Sequence, residues 1–176
     1  MEISFKELWT VAHGMGFGAI YLLAFGGAIA GIYSFRPELT THAGIKERIT
    51  RLNIGLSLMA VMSWLTVISG TWIVYIWYRA KPGEGADLME FPRYFLLSKP
   101  STKEWHEFGM EWKEHVAWIV PFIATSVAYS VYSVGEELAK NDRLKKALLW
   151  LILISFFCAA VPGVFGAFIN KIAATR

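Results

Sequence analysis

The chain has a single cysteine, Cys158, so no disulfide can form within it and no bridge framework can staple it. Charge is scarce: Asp, Glu, Lys and Arg make up 18% of the 176 residues, below the roughly 25% of an ordinary soluble domain. No basic run with interleaved aromatic residues is present, which excludes a nucleic-acid surface. The net charge of +3 adds nothing in that direction. A nucleophile–base arrangement, a phosphate-cradling glycine loop and a dinucleotide fingerprint are also lacking. Stand-alone enzymatic chemistry therefore has no carrier in this sequence.

What the chain has is apolar residues, 55% of the total, gathered in blocks. Four runs are long enough to cross a hydrocarbon core of about 30 Å, which takes roughly 20 helical residues. They cover about 8–35, 52–78, 112–134 and 147–169, with an extramembrane segment over 79–111. The expectation is one all-α membrane domain: an integral membrane four-helix bundle with a partly structured outer segment between the second and third helices. Ala28-Ile29-Ala30 imitates a signal-cleavage site, but the apolar stretch around it exceeds a signal core. Cys158, flanked by Phe156, Phe157 and Ala159, reads as a small hydrophobe.

Glycines crowd the first span. Gly27 and Gly31 form a small-xxx-small pair that lets helices approach. Gly14 and Gly18 do the same or, lying just after His13, leave room for a flat ligand. The loop over 36–51 holds Pro37, Arg36, Lys46, Arg48, Arg51 and a solvated His42. The second span ends in a girdle of Trp72, Tyr75, Trp77 and Tyr78, residues suited to the headgroup zone. Trp64 falls near mid-membrane and must pack inside or face lipid. In the outer segment, Phe91-Pro92-Arg93-Tyr94-Phe95-Leu96-Leu97 is too apolar for a free linker and should fold back on the bundle or meet a partner. Ser101 before an acidic turn predicts the start of the third helix. Pro121 should kink that helix, and Pro162-Gly163 with Gly166 should break the fourth.

An even number of spans puts both termini on the side of the 79–111 segment. Each short loop carries four basic residues, Arg36, Lys46, Arg48 and Arg51 in one and Lys140, Arg143, Lys145 and Lys146 in the other. The excess of positive charge in cytoplasmic loops then places both termini outside, in a bacterial or archaeal inner membrane.

The candidate site is a pair of histidines. His13 stands about five residues into the first span, and His115 opens the buried part of the third. Their depths agree within about a turn at 1.5 Å per residue. Imidazoles at that depth need partners, and histidine is a common axial ligand of haem iron. One reading is a b-type haem between the first and third helices near the outer face. His13 and His115 would be its iron ligands, with Gly14 giving room and Phe17, Trp112 and Trp118 as walls. Lys6, Lys113 or Arg79 would neutralise the propionates. A second reading leaves both imidazoles hydrogen-bonded to protein, in a cofactor-free anchor. A third uses Glu107, Glu111 and His115, which share a helix face at four-residue spacing, with His106 or His13 as a further ligand, as a metal site, although no zinc-type motif supports it.

Histidines near helix ends, a glycine-rich first helix and tryptophan girdles together resemble the four-helix membrane b-type cytochromes. The resemblance implies haem b and electron transfer within a larger respiratory or photosynthetic complex. It also implies membrane lipid and other complex subunits as partners, with a quinol or another membrane donor and a soluble or multihaem cytochrome on the outer side. Only His42 lies near the opposite face, which argues for one haem at most.

Overall fold

The computed structural model describes residues 3–36, 38 and 40–173, and among them every regular element is helical. Four helices dominate: α1 (Phe5–Tyr33), α2 (His42–Tyr78), α3 (Pro100–Lys140) and α4 (Asp142–Ile172). Each is long and apolar enough to cross a membrane. The chain is an integral membrane four-helix bundle.

Local chemistry sets where these helices start. At α1, Ser4 Oγ accepts from Glu7 N at 3.1 Å and Glu7 Oε2 accepts from Ser4 N at 2.8 Å, a reciprocal cap. Thr41 Oγ1 accepts from Gly44 N at 3.2 Å and opens α2 at His42. The stretch from His42 to Arg51 is therefore helical, where the sequence reading had loop, because polarity marks solvent exposure and not the end of a helix. His42 is exposed and pairs with Glu136 at 3.1 Å. Asn141 Oδ1 caps α4 by accepting from Leu144 N at 3.0 Å. At α3 the expected Ser101 cap gives way to Pro100, whose ring presets the first helical turn. Thr102 Oγ1 then donates to Leu96 O at 2.8 Å.

Neighbours in sequence are neighbours in space: α1 packs on α2, α2 on α3, α3 on α4 and α4 back on α1. We call the end carrying the chain termini the termini end and the other the hairpin end. The main core fills the middle and the hairpin end, where Leu56, Met59, Val127, Val131, Leu148 and Ile152 are fully buried. Ala24, Ala28 and Ala124 keep the helix axes close there. One buried hydrogen bond crosses that core, Tyr21 hydroxyl to Ser155 Oγ at 2.9 Å. Trp64 is half-buried at the α2–α3 seam: its Nε1 donates to Thr125 Oγ1 at 3.0 Å, and its ring meets Trp118 and Phe122 edge-on. Leu23, Phe122, Trp150 and Phe157 are exposed, as lipid-facing positions should be.

The two proline expectations divide. α3 is interrupted at Ala117–Trp118, where Val120 N takes the Ala117 carbonyl in a tighter turn at 3.2 Å. This is the turn before Pro121, which has no N–H to offer that carbonyl. α4, in contrast, runs unbroken through Pro162. Only one backbone hydrogen bond is lost there, and packing against α1 and α3 on both sides holds the helix together.

The segment between α2 and α3 closes the termini end. Asp87 Oδ1 accepts from Met89 N at 2.9 Å over the short turn Leu88–Glu90, and the helix Pro92–Leu97 follows. Leu96 is fully buried with Tyr78, Met110 and Ile169 in a second, smaller core. The fold-back read from residues 91–97 is this helix.

Candidate functional site

Three of the four long helices change winding at the same end. α1 is a π-helix over Ala12–Phe17, α2 over Gly70–Val74 and α3 over Trp105–Met110. Each wide turn shifts the side-chain register, a device that recurs at functional sites. Two of them carry a histidine, His13 and His106, and the third supplies the surface on which His13 rests.

His13 is directed at α2. Its Nδ1 lies 2.8 Å from Thr66 O and 3.2 Å from Ser69 Oγ. A carbonyl only accepts, so Nδ1 carries the proton and Nε2 keeps a free lone pair. The ring edge rests on Gly70, where a Cβ would come within 2.6 Å of His13 Cε1. Glycine at that position is a condition of the contact.

On α3 the inward side chains are His106, Met110 and Lys113. His106 lies in the π-helical turn and Lys113 in the α-helical stretch that follows it. His106 is buried, and its Nδ1 is 2.8 Å from the Tyr78 hydroxyl. Lys113 Nζ is drawn in against α4, where a Cβ on Gly166 would lie 2.6 Å from it, and it is within electrostatic reach of His13. No carboxylate pairs with Lys113 among the described residues. Glu114 lies within electrostatic reach of the Tyr75 hydroxyl, and Glu114 Oε1 is buried without a hydrogen-bond partner. Arg93, from the short helix Pro92–Leu97, lies close to Tyr75, Tyr78 and His106, and its Nε is also buried without a partner.

His115 falls elsewhere. Two residues beyond Lys113 is about 200° around the helix, so His115 occupies the far side, with its side chain 73% exposed. Its Nδ1 donates to Glu111 O of its own helix at 2.8 Å. Trp112 is exposed beside Phe108, and Gly14 borders open space. Phe17 is half-buried, and Trp118 packs between Trp64 and Trp72. The structure thus gathers His13 with Lys113, and leaves His115, Trp112 and Gly14 facing outward. Glu107 pairs with Lys103 at 2.9 Å, and no trio of metal-ligating side chains forms among the described residues. The chain matches no family model, no curated protein and no solved structure.

The polar groups at the termini end thus fall in two sets, His13 with Lys113, and Tyr75, Tyr78, Arg93, His106 and Glu114 beside the short helix Pro92–Leu97. His106 enters the sequence reading only as an optional member of the metal site, and Arg93 and Glu114 carry no site role there. Nothing local marks Arg93, which the fold-back of 91–97 delivers.

Proposed function

We propose that the protein is a membrane subunit of an electron-transfer assembly and that its polar core receives the headgroup of a quinone. The observation that carries this is the unmet polar capacity of that core, an acceptor at Glu114 Oε1 and a donor at Arg93 Nε, both buried. Ionisable groups drawn inside a membrane bundle are costly and are kept where they are used, and buried polar atoms without partners mark a group that binds there. A quinone head has the matching chemistry: its ring oxygens accept from Arg93 and Lys113, and a quinol hydroxyl donates to Glu114. The core lies beside the aromatic girdle, at the depth where an isoprenoid tail stays in the hydrocarbon. The charge bias of the short loops puts this end outside, next to a soluble or multihaem cytochrome or other subunits of a respiratory or photosynthetic complex. Leu88, Met89, Phe108 and Trp112, exposed on the cap, offer that contact.

The test is equilibrium binding of a short-chain benzoquinone to the purified protein, followed by tryptophan quenching. Saturable binding weakened about tenfold, or roughly 1.4 kcal/mol, by both Lys113→Met and Glu114→Gln is the expected result. Quenching that rises without saturation and equally in all three proteins would overturn the reading.

A second reading, one haem b between His13 and His115, is favoured by a single observation. In both residues Nδ1 is held by a backbone carbonyl with Nε2 left free, the way ligating imidazoles are oriented. The pair as placed does not fit an axial set, because His13 is seated on Gly70 and His115 points outward. An oxidised and dithionite-reduced absorption spectrum separates the two. A b-type difference spectrum lost in His13→Ala and in His115→Ala would establish the haem. If neither quinone nor haem binds, the chain is a cofactor-free anchor.

A further inference from the structure

The hairpin end carries a feature independent of the polar core. A groove of about 590 Å³ runs between α1 and α2 on the outside of the bundle. Its floor is glycine: a Cβ added at Gly27 or Gly55 would meet nothing within 4 Å. Leu23 and Leu58 line its deep end, and Arg48 and Arg51 stand at its mouth. From Arg48 to Leu58 is about 15 Å of helix, half of a hydrocarbon core of about 30 Å and so one leaflet. The arginines thus sit where headgroups begin when the leucines reach mid-membrane.

We infer that this groove holds one anionic phospholipid, with an acyl chain along Gly27 and Gly55 and its phosphate at Arg48 and Arg51. The depth match and the charge select this occupant. An apolar slot alone would suit a neighbouring helix, but two guanidiniums at headgroup level match a phosphate, to which arginine binds through its planar fork. Among the described residues Arg48 is engaged by the Ser34 carbonyl alone, at 3.2 Å. Arg51 pairs with Glu47 on the same helix face, exposed to solvent, and that exchangeable partner leaves its second edge available. The basic residues of both short loops lie at this end, and a leaflet rich in anionic lipid favours each of them.

Native mass spectrometry of the purified full-length chain, loaded with phosphatidylglycerol or phosphatidylcholine of equal chain length, tests this. The wild-type chain should retain phosphatidylglycerol at least about tenfold more strongly, since each basic residue near an anionic surface contributes about a factor of five. Arg48→Gln with Arg51→Gln should abolish the preference. Gly27→Leu, which fills the slot and leaves both arginines, should abolish retention of either lipid. Gly55→Leu on the opposite wall repeats that test should the first variant fail to fold by circular dichroism. Equal retention of both lipids by the wild-type chain overturns the inference, as does undiminished retention in the folded variants. A dimer that Gly27→Leu converts to monomer with no lipid lost also overturns it, and makes a second copy the occupant.

Discussion

At the hairpin end, Leu56, Met59, Val131, Leu148 and Ile152 are closed off completely and one hydrogen bond, Tyr21 to Ser155, crosses the core. At the termini end the same four helices enclose two imidazoles, an ammonium, a guanidinium and a carboxylate, and three of them rewind as π-helix to do so. Both ends are packed, but with different materials. The first is mostly apolar side chains, which need only one another, with one buried polar atom, Asn53 Oδ1, left without a partner. The second leaves two charged groups, Arg93 and Glu114, with a buried atom unmet, which is costlier in an apolar surround. The contrast teaches where selection for stability stops and selection for use begins along one bundle.

That contrast can be broken by mutation. Leu56→Ala, at a fully buried position of the apolar end, should lower stability most, by about 2–5 kcal/mol. Thermal unfolding in detergent measures it, and a near-neutral result would mean that the hairpin end is not the stabilising half. Gly70→Ala should come next, at about 1–3 kcal/mol, because its Cβ would meet the His13 ring at 2.6 Å against a rigid backbone. The same variant should displace His13 from Thr66, visible as a changed imidazole nitrogen shift in NMR. Tyr78→Phe leaves buried His106 without its partner and should cost about 1 kcal/mol, with quinone binding the sharper readout. Gly166→Ala should cost least, within about 0.5 kcal/mol. Its Cβ also meets an atom at 2.6 Å, but that atom is Lys113 Nζ at the end of a flexible chain. If Gly166→Ala proved as damaging as Gly70→Ala, Lys113 would be held as rigidly as a histidine ring.

Much of the fold was legible in the sequence because a membrane leaves few choices. Apolar runs of 20 residues can only be helices there, and four of them, joined by two short loops and one longer segment, make an antiparallel bundle. The fold-back of 91–97 was readable from its apolar content. The extent of α2 was not, since a polar helix such as 42–51 looks like loop until Thr41 is seen to cap it. The break at Pro162 failed to appear because tertiary packing holds α4 on both sides. The site was half legible. His13 stood out as a polar residue in an apolar run. His115 drew attention by the same rule, yet depth alone does not say which way a side chain faces. The helical step from Lys113 decides that, and Lys113 could be placed inside only once Gly166 was known to lie opposite. Arg93 enters from a separate element, a long-range fact with no local trace.

The interruption of α3 at Ala117–Trp118 has a mechanical consequence. From Pro100 to Val134, beyond which Gly135 leaves the helix, α3 is about 50 Å long, more than a hydrocarbon core of about 30 Å. The part before the break is no free arm: His106 and Met110 are buried in it, and Phe108 meets Phe165 of α4 at 5.7 Å. A partner that pushes on Phe108 would therefore move α3 and α4 together above the break, while Val127 stays in its seat below it.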